Sequence, residues 1–220
     1  MRDWVAWHEE YDDPSSGLSA RLMLVQQELA RALDRAPAGP VQLVSLCAGQ
    51  GRDVIGTLPA HPRRDDVSAL LIEADPALAG QARAAATAAG LSRVEVREGD
   101  ASQVSTFADA PPAGVLLLCG IFGNVSPDDI RRTVAAAPAL CTPGATVLWT
   151  RHRGTPDLTP RIRDWFTAAG FEEVAFGSPP SAPRIGVGAA VRRAGVGGGW
   201  PEEPLFRFGS AHPFRTGDHA

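Results

Sequence analysis

Two acids and a glycine turn are the residues of this chain best suited to chemistry. The apolar run Val41 to Leu46 leads into Cys47-Ala48-Gly49-Gln50-Gly51. Glycine has no Cβ, so backbone N–H groups at such a strand end can approach a ligand closely. A second apolar run, Val67 to Ile72, ends on Glu73, and a third, Val94 to Val96, leads into Gly99-Asp100-Ala101. A carboxylate accepts hydrogen bonds from hydroxyls or from an amine. Glycine turn, acid and acid, each at a strand end, suit a nucleoside.

These motifs, in this order, resemble the class I S-adenosylmethionine-dependent methyltransferases of small-molecule type, over residues 15 to 192. The resemblance implies that Ser45, Cys47, Ala48, Gly49 and Gly51 face the methionine part of the cofactor. It implies that Glu73, with Ala74, takes the ribose hydroxyls, and that Asp100 sits by the adenine amine with Ala101 beside the ring. Two positions depart from the family pattern. Ser45 stands where an acid is usual, and Cys47 where the first glycine is usual. The fold implied is a three-layer Rossmann-like α/β sandwich whose seven-stranded, mostly parallel sheet ends in an antiparallel strand.

Methyl transfer is an in-line displacement that depends heavily on positioning and exclusion of water. A base is needed only for acceptors such as alcohols or phenols. Ligands in such sheets lie outside the carboxyl ends of the strands. This draws attention to the loop Cys119 to Val125, where Gly120 is a candidate cofactor contact and Phe122 a candidate substrate contact. Asn124 is either a candidate catalytic residue that hydrogen-bonds substrate or cofactor or an αL turn residue beside glycine. In Arg151-His152-Arg153, His152 is the candidate base and Arg151 the candidate anion holder. The alternative is a solvated, charged strand end. Arg21 either reaches the cofactor carboxylate or snorkels. Trp4, Trp7, His8 and Tyr11 either close a lid over the substrate or pack a terminal segment. Gly51→Val is expected to block the cofactor while the apo protein still folds.

The elements that must position these residues follow from hydrophobic period and punctuation. Leu18, Leu22, Val25, Leu29 and Leu33 repeat at helical spacing, predicting a helix from Leu18 to Asp34 that Pro37 and Pro40 close. A short helix carrying Val54, Ile55 and Leu58 should follow the glycine turn and stop near Pro59 and Pro62. Pro76 opens an alanine-rich helix that Gly90 ends. Val115 to Leu118 reads as a strand covered on both faces. Ser126-Pro127-Asp128-Asp129 is a helix start. Pro143-Gly144 predicts a turn before a strand from Ala145 to Thr150. A helix over 160 to 169 and strands over 171 to 176 and 185 to 191 complete the alternation, which implies a mainly parallel sheet. Residues 1 to 17 are read as a lid segment, 18 to 192 as the methyltransferase domain and 193 to 220 as a glycine-rich linker with a partly mobile tail, in which Leu205-Phe206-Arg207-Phe208 form one short strand.

Composition narrows the rest. The hydrophobic fraction of 44% supports a buried core, and a net charge of -4 argues against broad nucleic-acid binding. All 21 basic residues are arginine, a coding bias rather than a functional signal. Cys47, Cys119 and Cys141 have neither metal nor disulfide spacing and suit a reducing cytoplasm. No metal site is expected, and no membrane partner. His61 is placed at an exposed, proline-rich site. The leading reading is a cytoplasmic enzyme, monomeric or homodimeric, that methylates a small-molecule acceptor. The alternatives are a non-methylating S-adenosylmethionine-binding accessory protein or reused fold, and an NAD(P)-dependent oxidoreductase, whose fingerprint needs glycine at Val54.

Overall fold

A computed structural model of the chain describes residues 10–193, 195 and 204–208. The expectations for Trp4, Trp7 and His8, for most of the glycine-rich linker and for a mobile end beyond residue 208 lie outside the described residues. Seven strands form one sheet in the order β3-β2-β1-β4-β5-β7-β6. They are β1 (Val41–Leu46), β2 (Val67–Glu73), β3 (Val94–Glu98), β4 (Ala113–Leu118), β5 (Cys141–His152), β6 (Phe171–Gly177) and β7 (Ile185–Arg192). β1 pairs in parallel with β2 and β4, whereas β7 is antiparallel to both β5 and β6. The chain reverses its direction of travel across the sheet between β1 and β4, and that switch point opens a crevice at their carboxyl ends.

Helices cover both faces: α1 (Gly17–Arg35), α2 (Arg52–Thr57), α3 (Pro76–Ala88), α4 (Pro127–Leu140) and α5 (Thr159–Ala168). The central strands are apolar on both sides, so each feeds two cores. Leu43 of β1 packs with Leu29 and Leu33 of α1, Val54 of α2 and Ala82 of α3. Val44 and Leu46 face the other way, into the cluster that holds Ile130 and Val134 of α4 and Phe166 of α5. This is the expected three-layer α/β sandwich.

The helix ends explain the boundaries. The Ser16 hydroxyl accepts the N–H of Ser19 at the start of α1, and the Asp75 carboxylate accepts those of Ala77 and Leu78 at the start of α3. At the exit of α1, the Arg63 guanidinium donates to the carbonyls of Leu33, Ala36, Pro37 and Gly39. One side chain thereby satisfies acceptors that the helix end and the following loop leave open. Residues Glu10–Asp12 form a single 3₁₀ turn docked on α1, where the Ser19 hydroxyl donates to the Tyr11 carbonyl at 2.8 Å.

Three expectations change. Pro143-Gly144 makes no turn before a separate strand but lies within β5, whose pairing with β4 jumps from Ala113↔Cys141 to Val115↔Thr146. An irregularity of this kind tolerates proline and suits Gly144 at φ +82°. His61 is buried, with Nδ1 accepting the Arg63 N–H at 3.2 Å and Nε2 lying 3.4 Å from Asp34. Residues 205–208 form no strand. Their anchors are side chains of α4 and one carbonyl, rather than a sheet edge.

Candidate functional site

The turn after β1 is built from alternating left-handed residues: Cys47 at φ 56°, Gly49 at φ 57° and Gly51 at φ 67°. Cys47 is the single non-glycine residue with positive φ among the described residues. A side chain in this region costs on the order of 1 kcal/mol, which gives the departure from the family's glycine a physical cost. The turn is tied down by main-chain bonds, Ala48 N–H to Ile72 O at 2.9 Å and Gly51 N–H to Ala48 O at 2.8 Å. The Glu73 carboxylate completes it. Oε2 accepts the Gly49 N–H at 2.7 Å, and Oε1 accepts the Asp75 N–H at 2.9 Å.

A cleft of about 450 Å³ runs over this turn, within the usual size of small-molecule sites. The strand order sets out its length. Cys119 and Gly120 lie past β4, Cys47 to Gln50 past β1, Glu73 and Ala74 at the end of β2, and Asp100 and Ala101 past β3. Gly120 has φ +80°, and a Cβ built on it meets nothing within 4 Å. The space above it is open to a ligand, as a cradle requires.

Above the β4 end of the cleft, α1 contributes Arg21, α2 contributes Asp53 and the N-terminal turn contributes Tyr11. Arg21 donates to the Tyr11 hydroxyl. Two guanidinium groups approach the Tyr11 ring, Arg21 at 5.6 Å and Arg52 at 5.5 Å from its centroid. Burial raises the Asp53 pKa, against the opposing Val54 N–H and the nearby Arg21. Burial likewise raises that of Tyr11, against the charge of Arg21. Desolvation pushes Cys47 and Cys119 well above the usual thiol range, with nearby Glu73 and Asp53, respectively, adding to it. Both therefore stay thiols and are not poised as nucleophiles.

The structure brings together Arg21, Tyr11, Cys47, Ala48, Gly49, Glu73, Ala74, Asp100, Ala101 and Gly120 around one cleft. Other candidates lie elsewhere. Ser45 is buried in the sheet between Leu71 and Leu117. Gly51 faces the core: a Cβ there would come within 2.7 Å of Leu71 and 2.9 Å of Ile55. Its glycine is required by packing and φ, so the expectation that Gly51→Val leaves the apo fold intact is corrected.

Phe122 is fully buried, its ring 6.3 Å from that of Trp149, and so belongs to the core rather than to a substrate wall. Arg151 is also turned inward. Its guanidinium donates to the Phe122 carbonyl, and burial lowers its pKa. It is neither a solvated strand end nor an anion holder in the cleft. Asn124 donates from Nδ2 to the Gly120 carbonyl at 2.7 Å and does not take the αL conformation expected of a turn asparagine. The His152 Nδ1 accepts the Gly154 N–H at 3.2 Å, and His152 is not among the described residues that line the cleft. Trp7 and His8 lie outside the described residues.

Asp53, Gln50 and Phe208 line the cleft without having been singled out in the sequence. Asp53 sits two residues past the glycine turn, where an acid also suits a helix start. Phe208 lies in a tail with no motif to mark it.

The sequence profile of the family described as "Putative methyltransferase" matches residues 15–163. The chain belongs to that family. Its fold is that of the class I methyltransferases, as solved structures bear out. An O-methyltransferase family protein from Burkholderia thailandensis superposes with a TM-score of 0.67 at 20% identity, over 88% of this chain and 61% of that one. Magnesium protoporphyrin IX methyltransferase from Synechocystis PCC 6803, solved with bound SAM, gives 0.64 at 11% identity, over 79% and 80%. CalO1, a methyltransferase of calicheamicin biosynthesis in its SAH-bound form, gives 0.56 at 21% identity, over 80% and 54%. The chain thus spans only 54–61% of the length of the first and third of these. No curated protein matches the sequence.

Proposed function

We propose that this chain binds S-adenosylmethionine in the cleft and transfers its methyl group to a small-molecule acceptor. The observation that carries the reading is the convergence of the Glu73 carboxylate, Asp100 and the glycine turn on one cleft at the sheet's switch point. In this reading Glu73 holds the ribose hydroxyls while its other contacts keep the Gly49 turn in place. Asp100 takes the adenine amine beside Ala101. Arg21 faces the carboxylate of the cofactor's amino acid end and Asp53 its ammonium, two opposite charges close together. When bound, the cofactor supplies a methyl group activated by sulfonium. The chain's own part is to orient it and to exclude water, with Tyr11 and its two guanidinium neighbours covering the β4 end of the cleft.

The cleft of about 450 Å³, with Tyr11 and Arg21 in its lining, supports a compact acceptor with a polar group rather than a macromolecule. A nicotinamide cofactor fits poorly, because the third fingerprint glycine would fall on Val54, which is fully buried in the core. Among the described residues no helix is long and apolar enough to cross a membrane. With three free cysteines, a cytoplasmic enzyme, monomeric or homodimeric, is the accompanying reading.

Calorimetric titration with S-adenosylmethionine, S-adenosylhomocysteine and NAD tests the cofactor. Binding of the first two and not the third is expected. Binding of NAD alone overturns the reading. Release of S-adenosylhomocysteine in the presence of small phenols, alcohols, amines and carboxylates then tests transfer, and binding without any turnover favours an accessory role.

A further inference from the structure

Residues 204–208 pack on the body of the protein at one particular place. The Leu205 N–H donates to the Ser102 carbonyl at 2.9 Å, and its own carbonyl accepts the Thr133 hydroxyl at 2.9 Å. The Pro204 carbonyl accepts from Arg132 at 3.1 Å. Leu205 and Phe206 are buried in the same apolar cluster as Ala101. Ser102 belongs to the turn that carries Asp100, whose Oδ1 accepts the Ser102 N–H at 2.9 Å. The segment is therefore fastened to the turn that forms the β3 end of the cleft.

Phe208 is the product of that anchorage. Its ring stands edge-on to the buried Phe206, with centroids 5.4 Å apart and planes at 79°, yet the residue is 47% exposed and lines the cleft together with Asp100 and Ala101. A large aromatic side chain held by a buried neighbour, half open to solvent and facing a cleft, presents a ready surface for a flat, apolar ligand group.

We infer that residues 204–208 are a built-in strap that completes the cofactor cleft, with Phe208 as the apolar wall against the adenine base. The inference rests on the cofactor reading above. It places a binding residue in the tail, beyond the strands and loops that carry the methyltransferase motifs. Stacking on an aromatic side chain is sensitive to alanine substitution whatever the polar contacts of the base.

The test is calorimetric titration of the full chain and of F208A with S-adenosylhomocysteine and with methylthioadenosine, which keeps the adenine and ribose but lacks the amino acid end. F208A is expected to weaken both ligands by the same factor, about tenfold, while the apo protein, though it loses the contact with Phe206, still folds. F208W should retain affinity, and the tryptophan it adds should lose fluorescence when either ligand binds. Unchanged affinities in F208A overturn the strap while leaving the cofactor reading intact. So does a loss confined to S-adenosylhomocysteine. Should F208A fail to fold, F208W decides, and fluorescence identical to that of the parent protein overturns the strap. A parent protein that binds neither ligand overturns the cofactor reading, and the strap with it.

Discussion

The Glu73 carboxylate and the Gly49 amide are joined across the end of β1, with Oε2 accepting the N–H at 2.7 Å. The acid proposed to hold a ligand also holds the turn the ligand would lie on. Truncation therefore removes two things. Glu73→Ala leaves the amides of Gly49 and Asp75 without their acceptors, a loss of about 1.5–3 kcal/mol for each charge-assisted bond, less whatever water restores. The variant is expected to melt at a lower temperature and to bind S-adenosylhomocysteine at least about tenfold more weakly. Glu73→Gln keeps one acceptor, but its amide NH₂ faces a second N–H donor, so it should fall between the two. A Glu73→Ala variant with parental melting temperature would show that the carboxylate does not brace the turn.

Gly51 and Gly120 both have positive φ, yet substitution there should have opposite consequences. At Gly51 an added Cβ runs into Leu71 and Ile55, at 2.7 and 2.9 Å. Gly51→Ala is expected to destabilise the apo protein by about 2–4 kcal/mol, combining overpacking with backbone strain. At Gly120 an added Cβ enters the open cleft. Gly120→Ala should cost the apo protein only the backbone strain, on the order of 1 kcal/mol, while cofactor affinity falls sharply. Urea denaturation with and without S-adenosylhomocysteine separates the two. Equal apo stabilities for both variants would contradict the packing seen at Gly51.

The middle of the sheet was readable because β1, β2 and β4 are apolar runs followed by a glycine turn or closed by an acid, and the helices carry ordinary caps at Ser16, Asp75 and Ser126. The motif residues Gly49, Glu73 and Asp100 come together because parallel strands place their carboxyl ends along one edge. Properties set by long-range contacts were not readable. A basic triplet at a strand end suggests a solvated patch, yet Arg151 spends its charge on the Phe122 carbonyl. Gly51 serves side-chain packing beneath the turn, which nothing in a Gly-x-Gly pattern distinguishes from backbone approach above it. Leu205-Phe206-Arg207-Phe208 is apolar enough to read as a short strand, but the residues alone do not reveal that its partners are the Ser102 carbonyl and the side chains of Arg132 and Thr133 rather than a sheet edge.

Asp53 makes the stability of the apo protein depend on pH in an unusual direction. Burial raises its pKa in the folded state, whereas the unfolded chain keeps the ordinary value near ~3.9. A raised pKa contributes stability below the ordinary value and loses it as pH rises through the folded one. Asp53→Asn removes this dependence while its side-chain oxygen still accepts the Val54 N–H. The variant is expected to be at least as stable as the parent at pH 7, and to lose its advantage near pH 4. If Asp53 faces the ammonium of the cofactor's amino acid end, the same variant binds S-adenosylhomocysteine more weakly at pH 7. Melting curves at the two pH values check the first statement and calorimetry the second. A variant destabilised equally at both pH values would show that burial of the charge is not what Asp53 costs the fold.

The final prediction concerns the proton of the acceptor. A general base must come within hydrogen-bond reach of the proton it removes, about 2.6–3.2 Å or through one water. The His152 Nδ1 accepts the Gly154 N–H at 3.2 Å, and His152 does not figure among the described residues lining the cleft. Tyr11 does line it, with a hydroxyl that contacts Arg21 and a pKa raised by burial, so that it remains a neutral phenol at the mouth of the β4 end. His152→Gln retains an acceptor for Gly154. It is expected to leave S-adenosylhomocysteine affinity unchanged and turnover within about tenfold of the parent, against the ~10²–10⁴-fold that loss of a general base costs. Tyr11→Phe removes only the hydroxyl and should lower turnover more than His152→Gln does. The measurement is S-adenosylhomocysteine release with a small hydroxyl acceptor that supports turnover, followed across pH. A His152→Gln variant slowed more than a hundredfold and recovering at high pH would restore the histidine as the base, and would require the β5 end to move toward the cleft when the acceptor binds.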